Sequence, residues 1–327
     1  MRIDMIEAAA ERLRGHAVRT PLLNAPRLDE AAGRRIFVKA ECLQKTGSFK
    51  YRGGRSAVSA LDPKTRAAGV IAYSSGNHAQ GVARAARELG VPSVIVMPSD
   101  APSLKIENTR ADGADVILYD RASENREEIG EPLARDRGMT LIKPYDEPEV
   151  IAGQGTAGLE IAEQAEAAGI GRADVLVCCG GGGLTAGIAL ALSERAPDLR
   201  PRPVEPEGFN DVARSLEVGT PQRNNAATGS IADAILTPEP GELTWPILKT
   251  HCGAGITVSD DEMLRAMALA FTRLKLVLEP GGAVSLAAAL WHMEDDGDVI
   301  AVATGGNVDA DLFQMALARF GGPEGAL

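Results

Sequence analysis

Residues suited to redox or metal chemistry are scarce in this chain, with four cysteines and four histidines among 327 residues. Cys42, Cys178, Cys179 and Cys252 show none of the paired spacings that hold zinc or build a disulfide framework, so a reduced cytoplasmic setting is expected. His16, His251 and His292 show no ligand spacing either, and read as surface or structurally satisfied groups. An excess of positive charge is also lacking: 34 Lys+Arg stand against 45 Asp+Glu, a formal charge of −11. Such a surface repels phosphate backbones and anionic lipid, so neither nucleic acid nor membrane is an expected partner. No apolar run approaches the roughly 18 residues of a membrane span. Asp4, Glu7 and Glu11 punctuate the N-terminal stretch, which reads as an amphipathic helix and not as a signal peptide. Linkers, repeats and low-complexity tracts are absent. What remains is ordinary globular composition, 45% hydrophobic and 24% charged, in a chain long enough for about two domains.

The apolar patterning alternates. Strands are expected at Arg35 to Glu41, Val70 to Tyr73, Ser93 to Met97, Asp115 to Tyr119, Leu141 to Lys143, Val175 to Cys179, Arg202 to Glu205 and Val299 to Ala303. Helices are expected at Ala79 to Leu89, Ser103 to Ala111, Ser123 to Arg137, Thr156 to Ala168, Leu184 to Arg195, Ser259 to Leu278 and Val284 to Met293. Short apolar strands alternating with helices imply an α/β protein with mostly parallel sheets, in one sheet or two. Arg19-Thr20-Pro21-Leu22 reads as a turn, and Pro201 to Pro240 as a long irregular stretch of the kind that is usually functional or mobile.

Several stretches carry chemistry. Gly47-Ser48-Phe49-Lys50-Tyr51-Arg52-Gly53-Gly54 offers a single lysine in a glycine-rich turn just after a strand. Lys50 is a candidate covalent anchor, with Arg52 as a nearby cation that would lower its pKa, Phe49 beside a flat ring, and the glycines allowing close backbone approach. In Tyr73-Ser74-Ser75-Gly76-Asn77-His78-Ala79 a strand ends and a helix begins, leaving N–H groups free for an anion such as a carboxylate; the plainer reading is a helix cap. Cys179-Gly180-Gly181-Gly182-Gly183-Leu184 follows an apolar strand and opens a helix. Four consecutive glycines are entropically costly, and their use is to wrap amides around a phosphate. Gly153-Gln154-Gly155-Thr156-Ala157-Gly158 satisfies G-x-G-x-x-G, but acidic, turn-like residues precede it where a dinucleotide site needs a buried strand, so it reads as a helix start. Glu205 and Asp211, with a backbone carbonyl, offer a hard-cation site or simply a solvated acidic loop. Thr304-Gly305-Gly306-Asn307 follows the last strand, at the end where open α/β sheets bind ligands. Cys178 and Cys179 read as packing residues.

Taken together and in this order, these stretches resemble the serine/threonine dehydratase and serine racemase family of pyridoxal-phosphate enzymes, with the tryptophan-synthase-β fold (fold type II). The resemblance runs from Thr20-Pro21-Leu22 to Thr304-Gly305-Gly306-Asn307-Val308-Asp309. It takes in Ala152-Gly153-Gln154-Gly155-Thr156, Ile231-Ala232-Asp233 and Leu278-Glu279-Pro280. It implies two open, mostly parallel sheet domains: a large one from residues 1–47 and 146–327, and a small mobile one from 48–145. A homodimer is implied as well. By the same resemblance Lys50 anchors pyridoxal 5'-phosphate, Phe49 lies beside its ring, and Gly180, Gly181, Gly182, Gly183 and Leu184 hold its phosphate. Asn77 contacts the ring hydroxyl, Glu279 lies near the ring, and Thr304 faces the pyridine nitrogen. Ser75, Gly76, Asn77 and His78 surround the substrate carboxylate. Glu205, Asp211 and the carbonyl of Phe209 match a cation site for Mg²⁺ or another hard cation. Ala234 stands where relatives have Gly, and Pro203 where a small residue is common, which touches pocket shape and cation need.

A hydroxyl at the pyridine nitrogen makes a weaker electron sink than a carboxylate would, which favours elimination over transamination. The expected reaction converts an L-β-hydroxy amino acid, threonine or serine first, to a 2-oxo acid and ammonia. Lys50 would take the α-proton, and Ser75 on the opposite face would exchange it. The rivals are 3-hydroxyaspartate dehydration, for which Arg126, Arg110 and Lys105 are the available basic residues, and serine racemisation. A nicotinamide oxidoreductase rests only on Gly153 to Gly158.

Overall fold

The computed structural model describes residues 1–322 apart from Ser75, Pro102 and Arg121. Among the described residues ten strands form two sheets: β1 (Leu22–Asn24), β2 (Ile36–Lys39), β3 (Val70–Tyr73), β4 (Ser93–Pro98), β5 (Asp115–Tyr119), β6 (Thr140–Leu141), β7 (Ala173–Cys178), β8 (Leu199–Pro206), β9 (Ile256–Val258) and β10 (Asp298–Val302). The larger sheet runs β1-β2-β10-β7-β8-β9 and the smaller β5-β4-β3-β6. Every pairing is parallel except β1 with β2. Central strands such as β3, β4 and β10 are buried nearly throughout, as expected when helices cover both faces. The small sheet is drawn entirely from residues 70–141. Strands β1 and β9 were not expected; each has three residues, too few for a period to show. The expected turn at Arg19 to Leu22 runs directly into β1.

The helices that bear on the site are α1 (Ile3–Leu13), α2 (Lys50–Ala60), α3 (Asn77–Leu89), α4 (Ser103–Ala111), α5 (Arg126–Arg137), α6 (Pro148–Ala167), α7 (Gly183–Arg195) and α8 (Pro280–Trp291). Lys50 is therefore the first residue of a helix and not part of a turn, and Gly53 and Gly54 lie inside that helix. The G-x-G-x-x-G stretch is not a helix start: α6 begins at Pro148, and its glycines lie well within it. Their role is close packing. A Cβ on Gly153 would lie 2.5 Å from the Arg52 carbonyl oxygen, and one on Gly155 would lie 2.9 Å from the Gly187 carbonyl oxygen. On the other side of α2, a Cβ on Gly54 would come within 3.0 Å of the Gly81 backbone. Helices α3, α2, α6 and α7 thus pack side by side through glycine-lined seams. Three of them, α2, α3 and α7, start at candidate site residues.

Other boundaries differ from expectation too. Asn125 caps α5, its Oδ1 accepting the Glu127 N–H at 2.8 Å, so the helix starts at Arg126 and not Ser123. The helix expected over Ser259 to Leu278 is regular only over Asp260–Leu269; a wide turn at Ala270–Leu274 then ends on Lys275, whose φ of 62° reverses the chain. The stretch expected to be irregular, Pro201 to Pro240, contains most of β8 and an eight-residue helix, Asp211–Val218.

Candidate active site

The C-terminal end of the large sheet and the N-termini of α2, α3 and α7 meet at a cleft of about 170 Å³. Lys50 is pinned there through its neighbours: the Phe49 N–H donates to the Thr304 carbonyl at 3.1 Å, and Ser48 bridges to Gly305. Its amine donates to the Pro144 carbonyl at 2.7 Å and lies 5.2 Å from the Phe49 ring centroid. Burial pushes the Lys50 amine down to about 8, against the opposing pull of Cys178 and Glu279. Arg52, expected to help, does not. Its guanidinium is buried and bound to Glu41 at 2.8 Å and to Glu160 at 2.8 Å, with Thr156 alongside, so its charge is matched by two carboxylates away from the amine.

The anion cradle is the tetraglycine loop. Gly182 adopts φ 91° as the residue preceding α7, a conformation glycine tolerates. The Gly181 carbonyl is tied down by the Thr244 hydroxyl at 2.7 Å and the Gly241 N–H at 3.1 Å. Among the described residues, no N–H from Gly180 to Leu184 has an acceptor, so these donors are available at a helix N-terminus. No side chain fits: a Cβ on Gly181 would run into the Tyr145 ring, and one on Gly183 would lie 2.9 Å from the Tyr145 carbonyl. Free donors and glycine-only geometry suit a phosphate.

Asn77, the first residue of α3, donates to Glu279 at 2.5 Å and accepts from Asn307 at 2.7 Å. Asn307 also donates to the Thr46 carbonyl at 2.8 Å, so it links the lysine segment to Asn77. Asn307 is a site residue that sequence reasoning did not single out; its signal was its place at the end of Thr304-Gly305-Gly306-Asn307. Burial pushes Glu279 up to about 7, with Lys105 and Asn77 opposing and Asp233 adding to the rise. Thr304 accepts the Cys178 thiol at 3.3 Å. Cys178, expected only to pack, lines the cleft, whereas Cys179 is a packing residue.

Gly76 and His78 also line the cleft, while Ser75 lies outside the described residues. Burial, helped by the Lys50 charge, pushes His78 down to about 3, so the ring is neutral at ordinary pH. Its Nε2 donates to the Ile142 carbonyl at 2.9 Å, since a carbonyl can only accept. A cationic histidine for a substrate carboxylate is therefore not available. Lys105 and Arg126 are: both stand on the cleft wall, and Arg126 lies 5.4 Å from the Tyr73 ring centroid. Arg110 is not on that wall.

Glu205 and Asp211 lie apart from the cleft, fully buried rather than on a solvated loop. The Val212 and Ala213 N–H groups donate to Glu205 at 2.9 and 2.7 Å, and Asn224 donates to Asp211 at 2.6 Å. Asp211 Oδ2 has no partner among the described residues. Burial raises both carboxyls, Asp211 to about 6, and the Asp211 charge adds to the rise at Glu205. Among the described residues no three His, Cys, Asp or Glu side chains cluster as a metal set.

Comparison with known proteins fits this arrangement. A profile described as pyridoxal-phosphate-dependent enzyme matches residues 13–305. An L-threo-3-hydroxyaspartate ammonia-lyase of a Pseudomonas species is 45% identical over 96% of this chain and 97% of its own. A serine racemase of Schizosaccharomyces pombe is 39% identical over 97% of each chain. The crystal structure of a T.th. threonine deaminase superposes with a TM-score of 0.88 at 44% identity, covering 94% of this chain and 99% of that one. A half-buried lysine at the cleft, a free-amide phosphate cradle and a profile spanning most of the sequence lead to one conclusion: the chain belongs to the pyridoxal-phosphate-dependent enzymes of fold type II, in the ammonia-lyase and serine racemase branch of that family.

Proposed function

We propose that this enzyme is an ammonia-lyase acting on 3-hydroxyaspartate, eliminating water from the β-carbon and yielding, after hydrolysis, a 2-oxo diacid and ammonia. The observation that carries this reading is the presence of Lys105 and Arg126 on the wall of the cleft that holds Lys50. A second substrate carboxylate would meet both cations, the half-buried Lys105 and the exposed Arg126, which is otherwise paired with Glu127 at 3.4 Å, whereas the methyl of threonine would make no use of either. The activities of two relatives support it: that of the 45% identical protein above, and that of a 38% identical β-hydroxyaspartate dehydratase of Paracoccus denitrificans.

Pyridoxal phosphate, when bound, supplies the sink for negative charge developing at the α-carbon. Lys50 anchors it, and with a pKa near 8 its amine has a neutral fraction able to take the α-proton. The N–H groups of Gly180, Gly181, Gly182, Gly183 and Leu184 hold the phosphate, and Phe49 packs beside the ring. Asn77 and Glu279 would meet the ring hydroxyl side, and Thr304 would present a neutral hydroxyl to the ring nitrogen. Gly76, Asn77 and the neighbourhood of His78 would take the α-carboxylate, and Ser75 is the residue whose hydroxyl would exchange the α-proton in a racemisation. Glu205, Asp211 and the Phe209 carbonyl would hold a hard cation such as Mg²⁺, with the unpartnered Asp211 Oδ2 as the oxygen left free for it. Residues 48–145 form the small domain that closes on the large one, in a cytoplasmic homodimer.

L-Threonine or L-serine dehydration is the second reading, favoured by the structural likeness to threonine deaminase. The deciding experiment measures 2-oxo acid and ammonia from L-serine, L-threonine and the 3-hydroxyaspartate stereoisomers, with and without Mg²⁺, for wild type and Arg126→Leu. Faster turnover of a 3-hydroxyaspartate isomer is expected, with a roughly 100-fold loss in kcat/KM for that substrate alone in the variant. Preference for threonine or serine, unchanged by the substitution, would overturn the proposal.

A further inference from the structure

Among the polar side chains on the cleft wall that the proposed reaction leaves without a part is the thiol of Cys178. It ends β7, directly before the tetraglycine loop, and only 4% of it is exposed. It is held from two sides. The Thr185 hydroxyl donates to its carbonyl at 3.1 Å, fixing it to the first turn of α7, and its Sγ lies 3.3 Å from Thr304 Oγ1. Burial pushes the thiol up to about 11, so at neutral pH it carries its proton and acts as the donor in that contact.

A threonine hydroxyl has one proton and two acceptor positions. With the thiol occupying one acceptor position, the direction of the hydroxyl proton decides what Thr304 can recognise. Within the protein its acceptor is the Gly281 carbonyl at 3.4 Å, at the far end of hydrogen-bonding range. The proton is therefore available to a better acceptor in the cleft, while part of the hydroxyl's accepting capacity is already engaged.

We propose that Cys178 is a positioning residue that fixes the Thr304 hydroxyl as a donor, so that the cofactor's ring nitrogen is held unprotonated. This rests on the reading above that Thr304 faces that nitrogen. A protonated ring nitrogen needs an acceptor opposite it; the thiol takes one of the two acceptor positions of Thr304, so removing it makes the hydroxyl a better acceptor there. In this role the thiol acts through Thr304, to which it donates at 3.3 Å.

The test uses the holoenzyme reconstituted with pyridoxal phosphate carrying ¹⁵N in the ring, whose chemical shift reports nitrogen protonation. Wild type, Cys178→Ala, Cys178→Val and Cys178→Ser are compared, together with cofactor affinity by fluorescence titration. Wild type is expected at the unprotonated shift. The Ala and Val variants are expected to move towards the protonated shift and to bind the cofactor roughly 3–10-fold more weakly, the range for losing one modest hydrogen bond. Serine restores a donor, so Cys178→Ser is expected to return both readouts towards wild type. Two hydrophobic variants of different size guard against one failing to fold. An unchanged shift in either folded variant overturns the role of Cys178 and leaves the family assignment standing. A wild-type protein that takes up no cofactor at Lys50 overturns both.

Discussion

Gly153→Ala perturbs the seam between α2 and α6 with a single methyl. That methyl would lie 2.5 Å from the Arg52 carbonyl oxygen, 2.6 Å from Ser56 Cβ and 2.8 Å from Gly53 Cα. Non-bonded carbon contacts settle at about 3.5–4.0 Å, so the helices have to separate by roughly 1 Å. Two of the three neighbours are backbone atoms and cannot rotate away. Alanine favours a helix over glycine by about 1 kcal/mol, but overpacking costs about 1–3 kcal/mol. The Arg52–Glu160 pairing crosses the same seam and would be stretched with it, adding to the loss. A net destabilisation of about 1–3 kcal/mol is expected, with Tm falling by at most about 2–4 °C for each kcal/mol. Because α2 starts at Lys50, the same shift would misplace the amine, and a 1 Å error at reacting groups costs about 100-fold in rate. The control is Gly171→Ala, where nothing lies within 4 Å and φ is not left-handed; it is expected to be neutral or stabilising by about 0.4–1 kcal/mol. Thermal and urea unfolding of the cofactor-free proteins, followed by turnover after reconstitution, make the comparison. A Gly153→Ala protein as stable and active as wild type would refute the packing role.

Two pH-dependent outcomes follow from buried charge. With the Lys50 amine lowered from 10.5 to about 8, the neutral fraction at pH 7 is about one-tenth, against roughly three in ten thousand unperturbed. Cofactor uptake, followed by stopped-flow absorbance, is therefore expected to speed up about tenfold per pH unit below 8 and to level off above it; a midpoint above 10 would contradict the burial argument. Glu88 is partly desolvated, which raises its pKa, but bonds from Tyr51, Lys45 and Arg84 win and hold it at about 2. Its folded pKa is depressed, so its stabilisation is present above the ordinary carboxylate value near 4.5 and is lost as pH falls towards 2. The ceiling is about 3 kcal/mol, and screening at a partly exposed site reduces it to roughly 1–2. Urea unfolding of Glu88→Gln should show that deficit at pH 6 and a narrower one at pH 3; a deficit independent of pH would refute the assignment.

The sheets and the main loops were legible in the sequence because burial on both faces leaves continuous apolar runs, as in Val70 to Tyr73 and Val175 to Cys178. Tetraglycine was legible for another reason: no turn needs four glycines, and the free N–H groups there supply the purpose. What the sequence hid was tertiary. Gly53 and Gly54 look like loop residues beside Lys50 and are helical; Arg52 looks like a neighbour of the lysine amine and is bound to Glu41 and Glu160 instead. Spacing along a chain carries no information about which way a side chain leaves a helix whose existence was not recognised. Only the folded chain brings Lys105 and Arg126 to the wall of the cleft and Asn307 to Asn77.

The glycines of α2 and α6 explain both the misreading and the site. A glycine inside a helix costs about 1 kcal/mol relative to alanine, so several in one pair of helices need a return elsewhere. Close approach of backbones is that return: Gly54 meets Gly81, Gly153 meets the Arg52 carbonyl, and Gly187 meets Gly155. These seams connect, in order, the helix that begins with Asn77, the helix that begins with Lys50, the G-x-G-x-x-G helix and the helix that follows tetraglycine. A wider side chain at any seam would move one helix start relative to the next, and with it an anchor, a ring contact or a phosphate cradle. The pattern that resembles a dinucleotide fingerprint is thus not a second binding motif. It sets the spacing between the helix N-termini that make the first one.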